Sequence, residues 1–316
     1  MIPRLLFLLL CLMAPFASWA QNPPVSPQFM RTICQRVQLM GDNANMYAVT
    51  GYLEQVLTPL GFKRISTSET EWVYGKDVAL KEIPGGFIYD FQTNDASVLQ
   101  VAAYGRVTAD LLFKNSGMKD YFRQAIPLAG FVNPVHEGKP EVFVQVGGQD
   151  DFLISSDGES GVTTVTYRVA LPTVAPDMLA PADVIAMVGM PLEEAKQNAM
   201  NTGYQHVLTN GITNYLLLGC QLEGETSPYK YKPLQGNEDI PYSALILNAD
   251  GAMVKNARLN IYHCDENIFL YDLARAGFHQ QSQKGKLRRF ESDIQQKRAT
   301  LERLGEDAWT IFIEKK

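Results

Sequence analysis

The sequence predicts an α+β protein of two tandem, related halves, each with short helices packed on an antiparallel β-sheet in two layers. Three observations predict this fold class. An amphipathic segment that ends in glycine followed by an aromatic residue occurs four times. Strand-like segments follow each copy, and a proline-rich stretch divides the chain near its middle.

The four amphipathic segments have apolar residues three and four positions apart, which predicts short helices. Each ends at a glycine, a residue suited to the left-handed conformation after a helix. The aromatic residues after these glycines are 69, 73 and 74 residues apart, and this spacing predicts four helix-plus-strands units. The alternative is chance recurrence. The segments are residues 51–62, 120–131, 191–204 and 267–278.

The stretches between these helices predict consecutive hairpins. Asn94-Asp95, Asp157-Gly158 and Asp250-Gly251 mark turns, and Asp-Gly supplies the positive φ angles of a two-residue hairpin turn. Consecutive hairpins favour antiparallel sheets over parallel ones. The strand-like segments are TEWVYG, GGFIYDF, SVLQVAAY, EVFVQV, DFLIS, VTTVTYRVAL, NYLLLGC, YSALILN and ARLNIYH.

Prolines place the boundary between the halves. Proline disfavours both helices and central strands, so the cluster Pro172, Pro176, Pro181 and Pro191 predicts a linker. The predicted organisation is a signal peptide (1–20), a first α+β half (21–172), a Pro-rich linker (173–190) and a second α+β half (191–316).

Two further helices are predicted from apolar spacing. One is a leading helix over residues 27–40, with an apolar face that includes Ile33 and Val37. The other covers residues 286–304, and its narrow apolar stripe suits either a surface helix on its own sheet or a partner-binding helix. The stripe consists of Leu287, Phe290, Ile294, Leu301 and Leu304.

The N-terminus predicts export. Arg4 is followed by an apolar run at residues 5–12, and the small residues Ser18 and Ala20 occupy the positions that a signal peptidase reads. We expect cleavage after Ala20 and a periplasmic or extracellular protein. The alternatives are a retained anchor and a lipoprotein through Cys11. No N-glycosylation acceptor and no later long apolar segment occurs, which favours a bacterial envelope and no transmembrane segment after signal removal.

Composition and motifs exclude several function classes. The chain has 316 residues, is 46% hydrophobic and carries a net charge of -6, which argues against disorder and against a nucleic-acid partner. There is no phosphate-binding glycine motif, so no nucleotide cofactor is expected. His263-Cys264-Asp265-Glu266 would split between the two faces of a strand, so no metal site is expected.

Candidate catalytic motifs are incomplete. Ser116-Gly-Met-Lys119 fits the S-x-x-K pattern of penicillin-recognising enzymes, but their K-T-G is absent. Gly158-Glu-Ser-Gly161 is similar to a serine-protease nucleophile loop, but no histidine stands in the expected context. No catalytic residue is therefore assigned. A carboxylate pair has no local signature, so a hydrolase remains an alternative.

Three cysteines remain after signal removal: Cys34, Cys220 and Cys264. Export permits disulfides. Cys220 ends one predicted strand of the second half and Cys264 follows another. The sequence predicts a Cys220–Cys264 bridge, with three buried free thiols as the alternative.

Residues 187–204, MVGMPLEEAKQNAMNTGY, resemble the opening of a PASTA repeat. The matching positions are structural ones, so no functional residue is carried over. The resemblance implies a helix against three strands and a role in envelope localisation through peptidoglycan or related ligands. The long run from Cys220 to Pro241 departs from the compact family pattern. The matching residues are Val188, Gly189, Met190, Leu192, Ala195, Gly203 and Tyr204.

A candidate binding surface is the polar loop at residues 223–241, flanked by Tyr229, Tyr231 and Tyr242. Tyrosine offers a large apolar face and a polar tip for contact. The alternative is an ordinary connection whose tyrosines cover the sheet edge. The sequence thus predicts an exported, non-catalytic envelope protein that binds a protein or cell-wall partner. The alternatives are an envelope hydrolase and a structural homo-oligomeric subunit.

Overall fold

The computed structural model describes residues 25–40, 46–135, 139–169, 178–224, 229–235 and 240–316. The predicted signal peptide and its cleavage site lie outside these residues. The described part is an α+β protein with six α-helices and two eight-stranded sheets.

The first half begins with two helices, and its strands surround a third helix. A 3₁₀ turn, Thr58–Leu60, follows the second helix. The elements are α1 (Pro27–Met40), α2 (Met46–Leu57), β1 (Lys63–Thr67), β2 (Glu71–Lys76), β3 (Val78–Ile83), β4 (Gly86–Phe91), β5 (Ser97–Tyr104), β6 (Arg106–Phe113), α3 (Ser116–Leu128), β7 (Phe131–Val132), β8 (Glu141–Gln145), β9 (Asp150–Ser156) and β10 (Thr163–Val169).

The second half repeats this order element for element. Its elements are α4 (Pro181–Met187), α5 (Leu192–Asn201), β11 (Gln205–Asn210), β12 (Thr213–Leu218), β13 (Cys220–Glu223), β14 (Lys230–Pro233), β15 (Tyr242–Asp250), β16 (Met253–Tyr262), α6 (Asn267–Arg275), β17 (His279–Lys284), β18 (Leu287–Ser292), β19 (Lys297–Arg303) and β20 (Ala308–Lys315).

The two large sheets have the same strand order. The first is β1-β2-β5-β6-β10-β9-β8-β7 and the second is β11-β12-β15-β16-β20-β19-β18-β17. In each half a separate hairpin, β3–β4 or β13–β14, is inserted between the second and third strands of the sheet. The predicted pair of similar halves is therefore confirmed.

The glycine-aromatic motif ends one helical segment in every unit. Gly61, Gly130, Gly203 and Gly277 all have φ between 75° and 98°. The amides of Phe62, Tyr204 and Phe278 donate to carbonyls five residues earlier, as in a Schellman motif. All four aromatic side chains after these glycines are buried. The motif thus ends the helix and anchors the following strand in one step.

The core of the first half joins helix and strand side chains in one buried cluster. Ile33 and Val37 of α1 belong to it, as does Leu53 of α2. Leu99 and Leu111 of β5 and β6 complete its centre and are fully buried. The predicted leading helix over residues 27–40 is confirmed with the same bounds.

The predicted helix over residues 286–304 is wrong. β18 and β19 pair there as an antiparallel hairpin, and β19 buries alternate residues in the period-two pattern of a strand. Ile294 and Leu304 of the predicted stripe are 74% and 45% exposed. The turn at residues 293–296 contains neither glycine nor proline, and Gln296 itself takes a φ of 51°. The glycine or proline that usually marks a hairpin turn is therefore missing from the sequence.

The predicted linker at 173–190 contains α4, whose Val184 and Ile185 are buried. Residues 170–177 lie outside the described residues. The chain forms two compact units that divide at Val169 and Ala170, except that Val144–Gln149 group with the second unit. In the described ranges no helix is both long enough and apolar enough to cross a membrane.

Candidate functional site

The candidate site is a cleft on one face of the second sheet. Strand alternation places Ile246 of β15, Arg258 of β16 and Phe312 of β20 side by side on this face. The residues that alternate with these along each strand, such as Leu245 and Leu259, point to the other face of the sheet and are fully buried. The cleft has a volume of about 640 Å³. Its lining residues are Thr213, Tyr215, Tyr229, Lys230, Tyr231, Ile246, Asn248, Arg258, Asn260, Tyr262, Glu302, Leu304, Thr310 and Phe312.

The hairpin β13–β14 forms one wall of the cleft. Tyr229, just before β14, meets Tyr215 of β12 edge to face, with ring centroids 5.2 Å apart. Tyr231 and Leu222 pack on a buried apolar cluster of the sheet that contains Tyr215 and Ile246. The predicted loop at 223–241 is therefore partly a strand, while residues 225–228 and 236–239 lie outside the described residues.

The three tyrosines singled out in the sequence do not all take the same place. Tyr229 and Tyr231 line the cleft. Tyr242, at the start of β15, is buried and stacks on Tyr262, with ring centroids 4.4 Å apart and planes 10° apart. Tyr242 therefore supports the cleft wall through Tyr262, which does line the cleft.

Two buried polar side chains on the cleft floor lack partners. Asn260 and Thr310 are 5% and 6% exposed and face each other across β16 and β20. Asn260 Oδ1 and Thr310 Oγ1 have no hydrogen-bond partner anywhere in the described part of the chain. An unpaired buried oxygen costs about 1–3 kcal/mol. A partner from outside the described residues would satisfy both atoms.

A cation lies beside this pair. The guanidinium of Arg258 lies over the ring of Phe312, with its central carbon 5.7 Å from the ring centroid. Guanidinium groups bind aromatic faces well, and their edges keep N–H groups available for further hydrogen bonds. Lys230 adds a second cation to the cleft lining and Glu302 adds one carboxylate.

Burial keeps three tyrosine hydroxyl groups at or beside the cleft neutral. Burial raises the pKa of Tyr231 to about 12, and burial likewise raises the pKa of Tyr262 and of Tyr242. The tyrosine rings therefore present uncharged faces and hydroxyl groups at physiological pH. They do not repel an anion held by Arg258.

The predicted Cys220–Cys264 bridge is not formed in the structure. All three described cysteines are free. The Cys220 thiol donates to the carbonyl of Ser243 and the Cys264 thiol to that of Ile261. Burial raises the pKa of Cys220 to about 11 and of Cys264 to about 12, so both are unreactive thiols at neutral pH.

Of the described residues that line the cleft, Glu302 is the one carboxylate, whereas a glycosidase uses two. Across the described ranges no three His, Cys, Asp or Glu side chains cluster as metal ligands.

The matching face of the first sheet is built differently. On this face Gln100 donates to Glu71, and Thr166 donates to Asp110 over 2.5 Å. Arg168 Nε is buried there without a hydrogen-bond partner in the described part of the chain. Burial raises the pKa of Asp110. The two halves thus share strand order, but the aromatic cleft belongs to the second half.

Sequence reasoning missed Arg258, Asn260 and Thr310. In ARLNIY the polar residues alternate with apolar ones, which is the ordinary pattern of a half-exposed strand. The available signal was the aromatic residue that continues the same alternation, Tyr262. No family model, no curated protein and no solved structure matches the chain.

Proposed function

We propose that the protein is an exported, non-catalytic binding protein of the cell envelope, and that the cleft of its second half holds the ligand. The observation that carries this proposal is the unpartnered pair Asn260 and Thr310 on the floor of an aromatic cleft. Binding sites are typically concave and largely apolar, with a few well-placed polar groups.

The fold supports a role in binding. In the proposed two-layer arrangement the helices cover one face of each sheet and leave the other face for contact. Tyr229 and Tyr231 stand on a hairpin above this second face, where a rigid scaffold presents them. Tyrosines lose little conformational entropy on contact, so such a wall suits recognition.

The envelope location rests on the N-terminal sequence. The charged, apolar and small-residue order of residues 1–20 supports export with cleavage after Ala20. The resemblance of residues 187–204 to a PASTA opening supports the same location. A protein or cell-wall partner is proposed on these grounds.

The experiment is site-specific photo-crosslinking in the cells that make the protein. A photoreactive phenylalanine analogue replaces Tyr229 in the cleft wall. A second variant carries it at Tyr104, which is 69% exposed in the first half and serves as the matched control. We expect an adduct from position 229 and none from position 104. We expect Thr310→Val to lower the yield of this adduct.

Mass spectrometry then identifies the adduct as a protein, a glycan or a second copy of the chain. Equal labelling from positions 229 and 104, or no adduct at 229, would contradict the cleft as the binding site.

A further inference from the structure

We propose that the ligand of the cleft is an oligosaccharide bearing carboxylate groups, with Arg258 as the residue that binds a carboxylate. This inference rests on the proposed binding function and names the chemical class of its ligand. Three features of the cleft carry it: the tyrosine walls, the unpartnered floor pair and an arginine without a counter-ion.

Arg258 is poised for an anion from outside the chain. Its side chain is exposed and lines the cleft, and its guanidinium forms no ion pair or hydrogen bond with any residue of the described ranges. The central carbon of the guanidinium lies over the Phe312 ring, 5.7 Å from the ring centroid. A planar guanidinium fork matches a carboxylate with two parallel hydrogen bonds.

The rest of the cleft matches a sugar ring. The apolar faces of Tyr229 and Tyr231, which are only partly buried, can lie against the C–H face of a pyranose. Asn260 Oδ1 accepts a hydrogen bond, and Thr310 Oγ1 both donates and accepts. Neighbouring sugar hydroxyls supply both roles.

Peptide recognition by strand addition is disfavoured at the cleft floor. β12, β15, β16 and β20 each have a partner strand on both sides, so their backbone groups are already paired. A peptide that adds to a sheet needs a free edge. Recognition on this floor must come from side chains, and the side chains present are aromatic, amide, hydroxyl and guanidinium groups.

The test is calorimetric titration of the mature chain, residues 21–316, with four probes. These are trigalacturonate, its methyl ester, a neutral cellulose trisaccharide and a proline- and tyrosine-rich peptide. We expect trigalacturonate to bind about 10- to 100-fold more tightly than its ester, the range for losing one charge-assisted hydrogen-bonded pair.

The variants locate the effect. Arg258→Gln should abolish the preference for the acid over the ester, and Arg258→Lys should restore part of it because it keeps the charge without the fork. Thr310→Val should lower the affinity for both trigalacturonate and its ester. Arg289→Gln, which removes a cation from the same sheet outside the cleft, should leave both affinities unchanged.

The outcomes separate the two proposals. Equal binding of acid and ester, an unchanged preference in Arg258→Gln, or binding of the peptide alone would overturn the acidic-saccharide assignment while the cleft remains the binding site. No binding by any probe also overturns the assignment. The cleft itself is then judged by the crosslinking at position 229, which does not depend on the ligand class.

Discussion

At the scale of single residues, glycine has opposite roles in this chain according to its backbone angle. Gly130 ends α3 with a φ of 89°, where an L side chain is strained. Gly51 lies inside α2, and an added Cβ there meets nothing within 4 Å. The same substitution should therefore act in opposite directions at the two sites.

Gly130→Ala should lower the free energy of unfolding by about 1–2 kcal/mol because the left-handed conformation is retained at a cost. Gly51→Ala should raise it by up to about 1 kcal/mol through helix propensity. Chemical denaturation of both variants checks this. An equal loss of stability in the two would argue against the helix-stop role of the motif.

The cleft floor makes a second prediction at this scale. Thr310→Val removes an unpaired buried hydroxyl and keeps the side-chain shape, so the free protein should become more stable by about 1 kcal/mol. Thr213→Val is the matched control, since Thr213 donates to Asn248 over 2.7 Å and should lose about 1 kcal/mol. If both variants lose stability, Thr310 has an internal partner and the cleft floor is complete without a ligand.

At the scale of elements, the sequence predicted best where glycine marked the end of a helix or a turn. The glycine-aromatic stops located four helices, and Asp250-Gly251 located the β15–β16 turn, where Gly251 has a φ of 62°. The prediction of a helix failed in β18 and β19, where apolar residues at helical spacing belong to a hairpin. Tertiary pairing decides such segments, because the turn between them has no glycine or proline.

One short element depends on a buried ion pair. Asp272 of α6 is 5% exposed, accepts from the amide of Ala182 in α4 over 3.2 Å, and pairs with Arg275 over 3.2 Å. Burial raises the pKa of this carboxyl. The amide of the N-cap residue Ala180 donates to Asp183 Oδ2 over 2.7 Å, so the carboxylates of Asp183 and Asp272 together hold the start of α4.

Asp272→Ala should destabilise the protein by about 3–5 kcal/mol, because it leaves a buried cation and a helix amide without this partner. Asp120→Ala removes an exposed carboxylate from the surface pair with Arg123 and should change stability by less than about 0.5 kcal/mol. Thermal unfolding followed by circular dichroism compares them. Similar melting temperatures would show that α4 does not need the carboxylate.

At the scale of the whole molecule, two similar halves share one strand order and differ at the candidate site. Both halves have one strand order, and recurring helix stops made this predictable from the sequence. The cleft was not predictable, because Arg258, Asn260 and Thr310 come together only through the pairing of β16 with β20. Their local pattern is that of any half-exposed strand.

The inserted hairpins differ between the halves. In the second half, β13–β14 packs tyrosines over the sheet. In the first half, Leu80 and Phe87 of β3–β4 are 49% and 66% exposed. The same strand order therefore carries different side chains on the two sheets, and the aromatic cleft lies on the second.

The most direct test is a crystal structure of residues 21–316, free and soaked with trigalacturonate. We expect a sugar ring against Tyr229 and Tyr231, with ligand oxygens within hydrogen-bond distance of Asn260 Oδ1 and Thr310 Oγ1. The proposal would be contradicted if both atoms were paired with protein groups in the free crystal and stayed so, with the cleft empty, after soaking.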